Sequence, residues 1–133
     1  MAVKQRFMLD TNAVRVLLER RSAQLDQWFA EERCSLSAIV AAEIRFGLAR
    51  QVMSQQRADL VGGLLEVLPI EAFDAQVAST YGLLRAELQR LGISLSAMDL
   101  LIAAHALALG RTLVSRDQAF AKVPGLQCVS VST

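Results

Sequence analysis

The chain has 133 residues, 53% of them hydrophobic and 20% charged, with a formal net charge of +1. That length and balance describe one globular domain and exclude both a disordered chain and a generic electrostatic binder of nucleic acid, while leaving room for a local basic patch. Seven glycines and two prolines among many Leu and Ala favour a helix-rich fold over an all-β one.

Met1 to Phe7 hold no long apolar run, so no secretory leader is expected there. Phe7-Met8-Leu9 reads as a short buried strand that stops abruptly at Asp10, followed by Thr11 and Asn12. A helix then leaves through Val14, Leu17 and Leu18 to Arg20. Asp, Thr and Asn are ordinary helix caps; a carboxylate at the end of a parallel strand is also where open α/β sheets bind ligands. Ser22 caps a second helix with Leu25, Trp28 and Phe29, and Cys34-Ser35-Leu36 is a brief second strand. Ser37 caps a helix with Val40, Ile44, Gly47 and Leu48 on one face.

Ser54 opens the next helix, through Leu60, Leu64 and Leu65, and Val67-Leu68-Pro69-Ile70 reads as a third strand whose proline marks its end or a sheet edge. From Phe73, the apolar positions Val77, Tyr81, Leu84, Leu88 and Leu91 predict a long amphipathic helix stopped by Gly92. Ser96 opens another, with Leu95, Asp99, Ile102, Ala103 and Ala106 on one face and Gly110 at its end. Thr112 to Ser115 is a fourth strand, Asp117 to Phe120 a helical turn, and Gln127 to Val131 a last strand. Strands alternate with helices and no hairpin signal intervenes, so a parallel sheet with helices on both faces is expected, in one domain over residues 1–133.

Leu100 to Leu109, the longest apolar stretch, is interrupted by His105 and too short to span a bilayer. Cys34 and Cys128 both fall in predicted strands and give no disulfide framework, so a reducing cytoplasm is the expected compartment. The high apolar share of so small a chain points to a surface covered in part by a partner.

Four acids stand out. Asp10 and Asp117 each follow a strand, Glu43 projects from a mainly apolar helix face, and Asp99 opens a helix on its sheet-facing side. Each has a plainer reading: Asp10 and Asp117 as N-caps, Asp99 in a capping box with Ser96, Glu43 in an ion pair with Arg45 or Arg50. Together they can converge at the carboxyl edge of one sheet, where like charges repel unless a divalent cation neutralises them. An oxygen-only set without Cys or His suits Mg²⁺ or Mn²⁺ over zinc, and an all-carboxylate site that keeps several waters is apparatus for phosphodiester hydrolysis. His105, six residues past Asp99, sits well around the helix and reads as a core histidine. No Gly-rich phosphate loop, Gly-x-Ser-x-Gly or Cys-x-x-Cys is present.

Met8-Leu9-Asp10-Thr11-Asn12, Leu36-Ser37 through Glu43 to Gly47, Asp99-Leu100-Leu101-Ile102-Ala103-Ala104-His105-Ala106 and Leu113-Val114-Ser115-Arg116-Asp117 stand in an order and spacing that resembles the PIN-domain ribonucleases. Within them the chain looks most like the VapC-type toxins of bacterial toxin–antitoxin pairs. The resemblance implies a PIN-like three-layer α/β/α sandwich around a parallel sheet of about five strands. It also implies an endoribonuclease that cuts structured RNA (tRNA or rRNA), inhibits translation, and depends on Mg²⁺, with Mn²⁺ as a substitute. By that likeness Asp10 and Asp99 are the most direct metal ligands, Asp117 completes the site, and Glu43 holds a metal water or positions the nucleophile. Thr11, Asn12 and Ser115 support those ligands. The same likeness implies a homodimer and a cognate antitoxin, with higher assemblies on operator DNA through the antitoxin and no membrane. Trp28, Phe29, Phe46 and Leu48 are candidates for the antitoxin groove, beside their reading as core. Arg15, Arg20 and Arg45, with Arg21 and Arg50, are candidates for RNA contact. Two other classes compete: a receiver-like signalling domain, which wants an acidic pair before Asp10 and a lysine after a late strand, and a catalytically silent binding module. An Asp-x-Asp phosphatase is disfavoured by Asn12.

Overall fold

The computed structural model describes residues 4–131. The reading of the N-terminus as leaderless falls partly on residues 1–3, outside that range.

Five short strands form one all-parallel sheet: β1 (Phe7–Leu9), β2 (Cys34–Ser37), β3 (Ile70–Glu71), β4 (Thr112–Val114) and β5 (Cys128–Val129), in the order β3-β2-β1-β4-β5. The register pairs Phe7 with both Cys34 and Thr112, and Leu9 with Val114. Phe7, Met8, Leu9, Leu36, Leu113 and Val114 are all buried, as expected of strands covered on both faces. The chain steps outward from β1 through β2 to β3, then returns to lay β4 on the other side of β1. Right-handed crossovers with that reversal put helices on both faces and open a crevice between the carboxyl ends of β1 and β4.

Six helices flank the sheet: α1 (Thr11–Leu18), α2 (Ala23–Ala30), α3 (Ala38–Ala49), α4 (Gln55–Val67), α5 (Ala75–Leu91) and α6 (Ala97–Leu109). Their starts follow the expected capping chemistry. The hydroxyls of Ser22, Ser37, Ser54 and Ser96 accept the N–H groups of Leu25, Ile39, Arg57 and Asp99. Gly92 and Gly110 end α5 and α6 in the left-handed conformation, where a side chain would be strained. α1 starts at Thr11, earlier than the apolar periodicity requires, because Asp10 supplies the cap.

Three strands are shorter than expected, β4 by Ser115 alone. The third was expected over residues 67–70, but α4 runs through Val67, and the Leu68 N–H still bonds to Leu64. Pro69 has no N–H to give a ladder, so only its carbonyl pairs, accepting from Leu36, and β3 proper is Ile70–Glu71 on the sheet edge. The last strand contracts to Cys128–Val129.

Trp28 stacks on Phe7 at 3.8 Å between ring centroids, which makes it a core residue in spite of its partial exposure. Cys34 is buried and Cys128 half-buried; neither is bonded to the other. Burial pushes the Cys34 thiol up to about 11, so it stays protonated and unreactive. Among the described residues no helix is long and apolar enough to cross a membrane.

Candidate active site

The crevice collects its side chains from four separate elements. Asp10 leaves β1 and N-caps α1, its Oδ1 accepting the Ala13 N–H at 2.7 Å. Its backbone N–H reaches across to Val114 of β4 at 3.2 Å, joining the two strand ends. Capping, one of the alternatives in the sequence, is thus observed at Asp10. Beyond β4 the Ser115 hydroxyl accepts the Asp117 N–H at 3.0 Å, and Asp117 in turn accepts the Ala119 N–H at 3.0 Å, capping a 3₁₀ helix over Gln118–Lys122. Asp99 lies in the first turn of α6, its N–H held by Ser96 at 3.1 Å.

Glu43 comes from α3 and makes no ion pair with Arg45 or Arg50. Its Oε2 accepts the Thr11 hydroxyl at 2.6 Å, a bond between residues 32 apart that ties α3 to the start of α1. One carboxylate oxygen is thereby fixed and the other left to accept.

The acids feel one another's charge. Burial lifts the Asp99 carboxyl above the ordinary aspartate range, and the charges of Asp117, Glu43 and Asp10 each push it further, with only the Ser96 hydroxyl opposing. Burial likewise lifts Asp10, with the Asp117 charge adding to the rise. The Ser115 hydroxyl, the Ala13 N–H and the Arg116 guanidinium hold Asp10 back. Asp99 therefore senses all three other acids, which the strand order alone made possible.

These donors fit a hard divalent cation that keeps much of its water. Among the described residues no three His, Cys, Asp or Glu side chains are gathered closely enough to hold a metal ion by themselves. A closed cage is what zinc demands; Mg²⁺ binds through one or two carboxylates and retains several waters. An open, all-oxygen cluster whose members repel one another suits the second.

The supporting residues divide. Thr11 holds Glu43, and Ser115 stands beside Asp10 and caps Asp117. Asn12 lines a recess of about 10 Å³ with Asp10, Ser115 and Arg116, room for one water and no more. The arginines scatter. Arg15 and Arg45 are exposed and carry no ion pair among the described residues. Arg20 faces Asp26 at 3.7 Å, and about 12 Å of helix separates its end of α1 from Asp10. Arg21 pairs with Glu19, and Arg50 lies over the Phe46 ring at 5.7 Å.

Two residues of the crevice carried no functional reading from the sequence. Arg116 is exposed, opposes the Asp10 charge and lines recesses with Asp10 and Asp117. Its position between Ser115 and Asp117 was the available signal. Cys128, from edge strand β5, places its Sγ 3.7 Å from the Ser115 carbonyl, and nothing in the sequence around it points there.

A groove of about 530 Å³ lies apart from the acids, between α1, α2 and α4, lined in part by Leu17, Phe29, Leu60, Gly63, Leu64 and Val67. Of the expected groove residues only Phe29 lines it; Phe46 is 66% exposed elsewhere and Leu48 packs on the core.

The PIN domain family profile matches residues 7–126. Ribonuclease VapC2 of Rickettsia felis is 31% identical over 125 residues, covering 90% of this chain and 93% of its own. The tRNA(fMet)-specific endonuclease VapC of Salmonella typhimurium is 28% identical, over 92% of this chain and 95% of its own. Among solved structures, VapBC2 from Rickettsia felis bound to a promoter DNA fragment superposes with a TM-score of 0.83 at 28% identity, over 96% of this chain and all of that one. DNA-bound VapBC from Salmonella typhimurium superposes equally well, at 0.83 and 27% identity, over 96% of this chain and 98% of that one.

Proposed function

The chain belongs to the PIN-domain family, and on that premise we propose that it is a Mg²⁺-dependent endoribonuclease, active also with Mn²⁺, and the toxin of a toxin–antitoxin pair. The observation that carries the reading is the convergence of Asp10, Glu43, Asp99 and Asp117, close enough for Asp99 to sense the other three. The match over residues 7–126 supports reading 1–133 as one nuclease domain. A receiver-like domain lacks support, since no acidic pair precedes Asp10 and the late lysine, Lys122, lies in a 3₁₀ helix instead of directly after a strand.

Asp10 and Asp99 would hold the metal, with Asp117 completing the site directly or through water. The bound cation supplies an activated water and offsets charge developing on the phosphate. Glu43, fixed by the Thr11 hydroxyl, orients the attacking water and takes its proton through the remaining carboxylate oxygen. Ser115 keeps Asp10 and Asp117 in place on the β4 side.

The substrate class follows from the relatives' names: structured RNA, with tRNA first among candidates, so that cleavage inhibits translation. Arg116 supplies a guanidinium beside the acids without an ion pair among the described residues, the arrangement a phosphate needs. Arg116→Ala is expected to raise KM for RNA roughly tenfold, the value of one charge-assisted hydrogen bond, with Mn²⁺ affinity unchanged. Steady-state cleavage and a Mn²⁺ titration check this; an unchanged KM removes Arg116 from the substrate path.

The partner reading rests on the groove. Leu60 and Val67 are 54% and 66% exposed on its wall. Gly62 and Gly63 sit in mid-α4, where each costs about 1 kcal/mol against alanine. A Cβ at either would meet nothing within 4 Å, so packing within the chain does not require them. A helix of the cognate antitoxin laid over Gly63 would give both features a purpose. Leu60→Lys is expected to weaken antitoxin binding by about 30-fold, near 2 kcal/mol, while cleavage by the free toxin stays unchanged. Calorimetric titration decides; wild-type affinity in the variant would move the partner elsewhere. A homodimer, assembly with antitoxin on operator DNA and a cytoplasmic location complete the reading, the last in keeping with two unbridged cysteines.

The direct test is cleavage of bulk tRNA by the purified protein with Mg²⁺ or Mn²⁺ against EDTA. Metal-dependent cutting supports the reading. Cutting that persists in EDTA overturns the metal site.

A further inference from the structure

His105 is fully buried in the middle of α6, yet its ring is incompletely satisfied. Nδ1 lies 2.7 Å from the Ser37 hydroxyl, a contact between residues 68 apart, while Nε2 has no hydrogen-bond partner. The Ala72 backbone and the Glu71 and Asp74 charges near the ring favour its protonation, but burial outweighs them and holds the imidazole below its usual range. The ring is therefore neutral near pH 7. Phe73 closes over it edge-on at 5.3 Å.

Ser37 serves two elements at once. Its hydroxyl oxygen already accepts the Ile39 N–H at 3.0 Å as the cap of α3. The hydroxyl has a second lone pair and a proton to spare, so it serves the cap and the histidine ring at once.

We infer that His105 is a positioning residue: through Ser37 it fixes the start of α3 against α6, and so sets Glu43 at its working distance from Asp99. Ser37 is at once the last residue of β2 and the cap of α3, and Glu43 lies six residues along that helix. Asp99 lies six residues before His105 on α6. Thr11 fastens Glu43 to α1, not to α6. The Ser37–His105 bond is the one side-chain hydrogen bond among the described residues that joins α6 to the strand end from which α3 departs. Glu43 and Asp99 act on each other electrically with no contact of their own, and the polar tie behind them holds them at that separation.

The inference rests on the nuclease reading, and wild-type cleavage of tRNA in the same assay keeps the two apart. His105→Leu is expected to lower kcat about tenfold or more while KM changes less than about twofold, because a misplaced catalytic group slows chemistry without weakening substrate binding. His105→Asn offers an acceptor near the Nδ1 position and restores kcat to within about threefold of wild type. In Glu43→Gln, adding His105→Leu costs nothing further in kcat, since the histidine acts through the carboxylate already removed. Ser37→Ala, which keeps the histidine, reproduces the kcat loss and serves if His105→Leu does not fold by circular dichroism. Wild-type kcat in folded His105→Leu or in Ser37→Ala overturns the inference and leaves the nuclease reading intact. So does a full additional loss on top of Glu43→Gln. A wild-type protein that cuts no RNA in Mn²⁺ overturns the nuclease reading and this inference with it.

Discussion

Asp10→Asn is expected to reduce metal-dependent RNA cleavage by about a thousandfold or more while the protein stays folded. The choice of asparagine matters because Asp10 has two jobs. It caps α1 through the Ala13 N–H and, in the proposed mechanism, holds the cation. Asparagine caps a helix about as well as aspartate, so the structural job survives and only the charge is lost. Removing one anionic donor from a site that relies on few direct ligands costs several kcal/mol of cation affinity and transition-state stabilisation, and each 1.4 kcal/mol is a factor of ten. Asp10→Ala is the companion: it loses the cleavage and the cap, and its melting temperature falls by the few degrees that about 1 kcal/mol represents. Cleavage of bulk tRNA alongside circular dichroism melts separates the two jobs. Near wild-type cleavage by Asp10→Asn would retire the metal-site assignment, and Asp10 would be left as a cap.

Millimolar Mn²⁺ should raise the melting temperature of the wild-type protein by about 10 °C near neutral pH, and by far less at about pH 4. The argument runs from the two displaced carboxyls. Burial first, then neighbouring acids, hold Asp10 and Asp99 above the ordinary aspartate value of 3.8 in the folded state. An acid whose folded pKa is raised is one the folded chain prefers protonated, so the folded state binds more protons than the unfolded. Its stabilising share is complete below the unfolded value of 3.8 and is lost as pH rises through the folded value. Above that window both ionised groups work against the fold, and a bound divalent cation reverses their sign. At a hundred times its dissociation constant a ligand adds about 2.7 kcal/mol, which for a chain of this size is close to that 10 °C. In acid the protons occupy the oxygens the metal needs. Differential scanning fluorimetry across pH, on wild type and Asp99→Asn, tests both halves. An equal shift in Asp99→Asn, or a shift that ignores pH, would place the cation somewhere other than this crevice.

What the sequence determined by itself is local. The serines that cap α2, α3, α4 and α6, the glycines that stop α5 and α6, and the apolar run Phe7-Met8-Leu9 act within four residues along the chain, so their identity is enough to predict the result. Three acids at strand ends and a helix start, and Glu43 on an apolar helix face, could likewise be named from the residues around each. The resemblance of the surrounding motifs to PIN-domain proteins added metal roles that spacing alone did not carry. Local rules also misled in places. Val67-Leu68-Pro69-Ile70 has strand composition, but the hydrogen bonds of α4 had already claimed its first residues.

Only the tertiary structure decided which strands are neighbours. The order β3-β2-β1-β4-β5 brings the end of β1 beside the end of β4, although about a hundred residues separate them in the chain. That pairing lets Asp99 sense three acids from other elements, gives Glu43 the Thr11 hydroxyl, and puts Arg116 and Cys128 at the crevice. It also buries His105 against Ser37, where the sequence could say core but not what the core histidine touches. The physical reason is one of range. Caps, turns and periodicity are settled by neighbours a few bonds away, whereas the meeting of distant carboxylates waits on burial of both sheet faces, and no residue's own neighbourhood records that outcome.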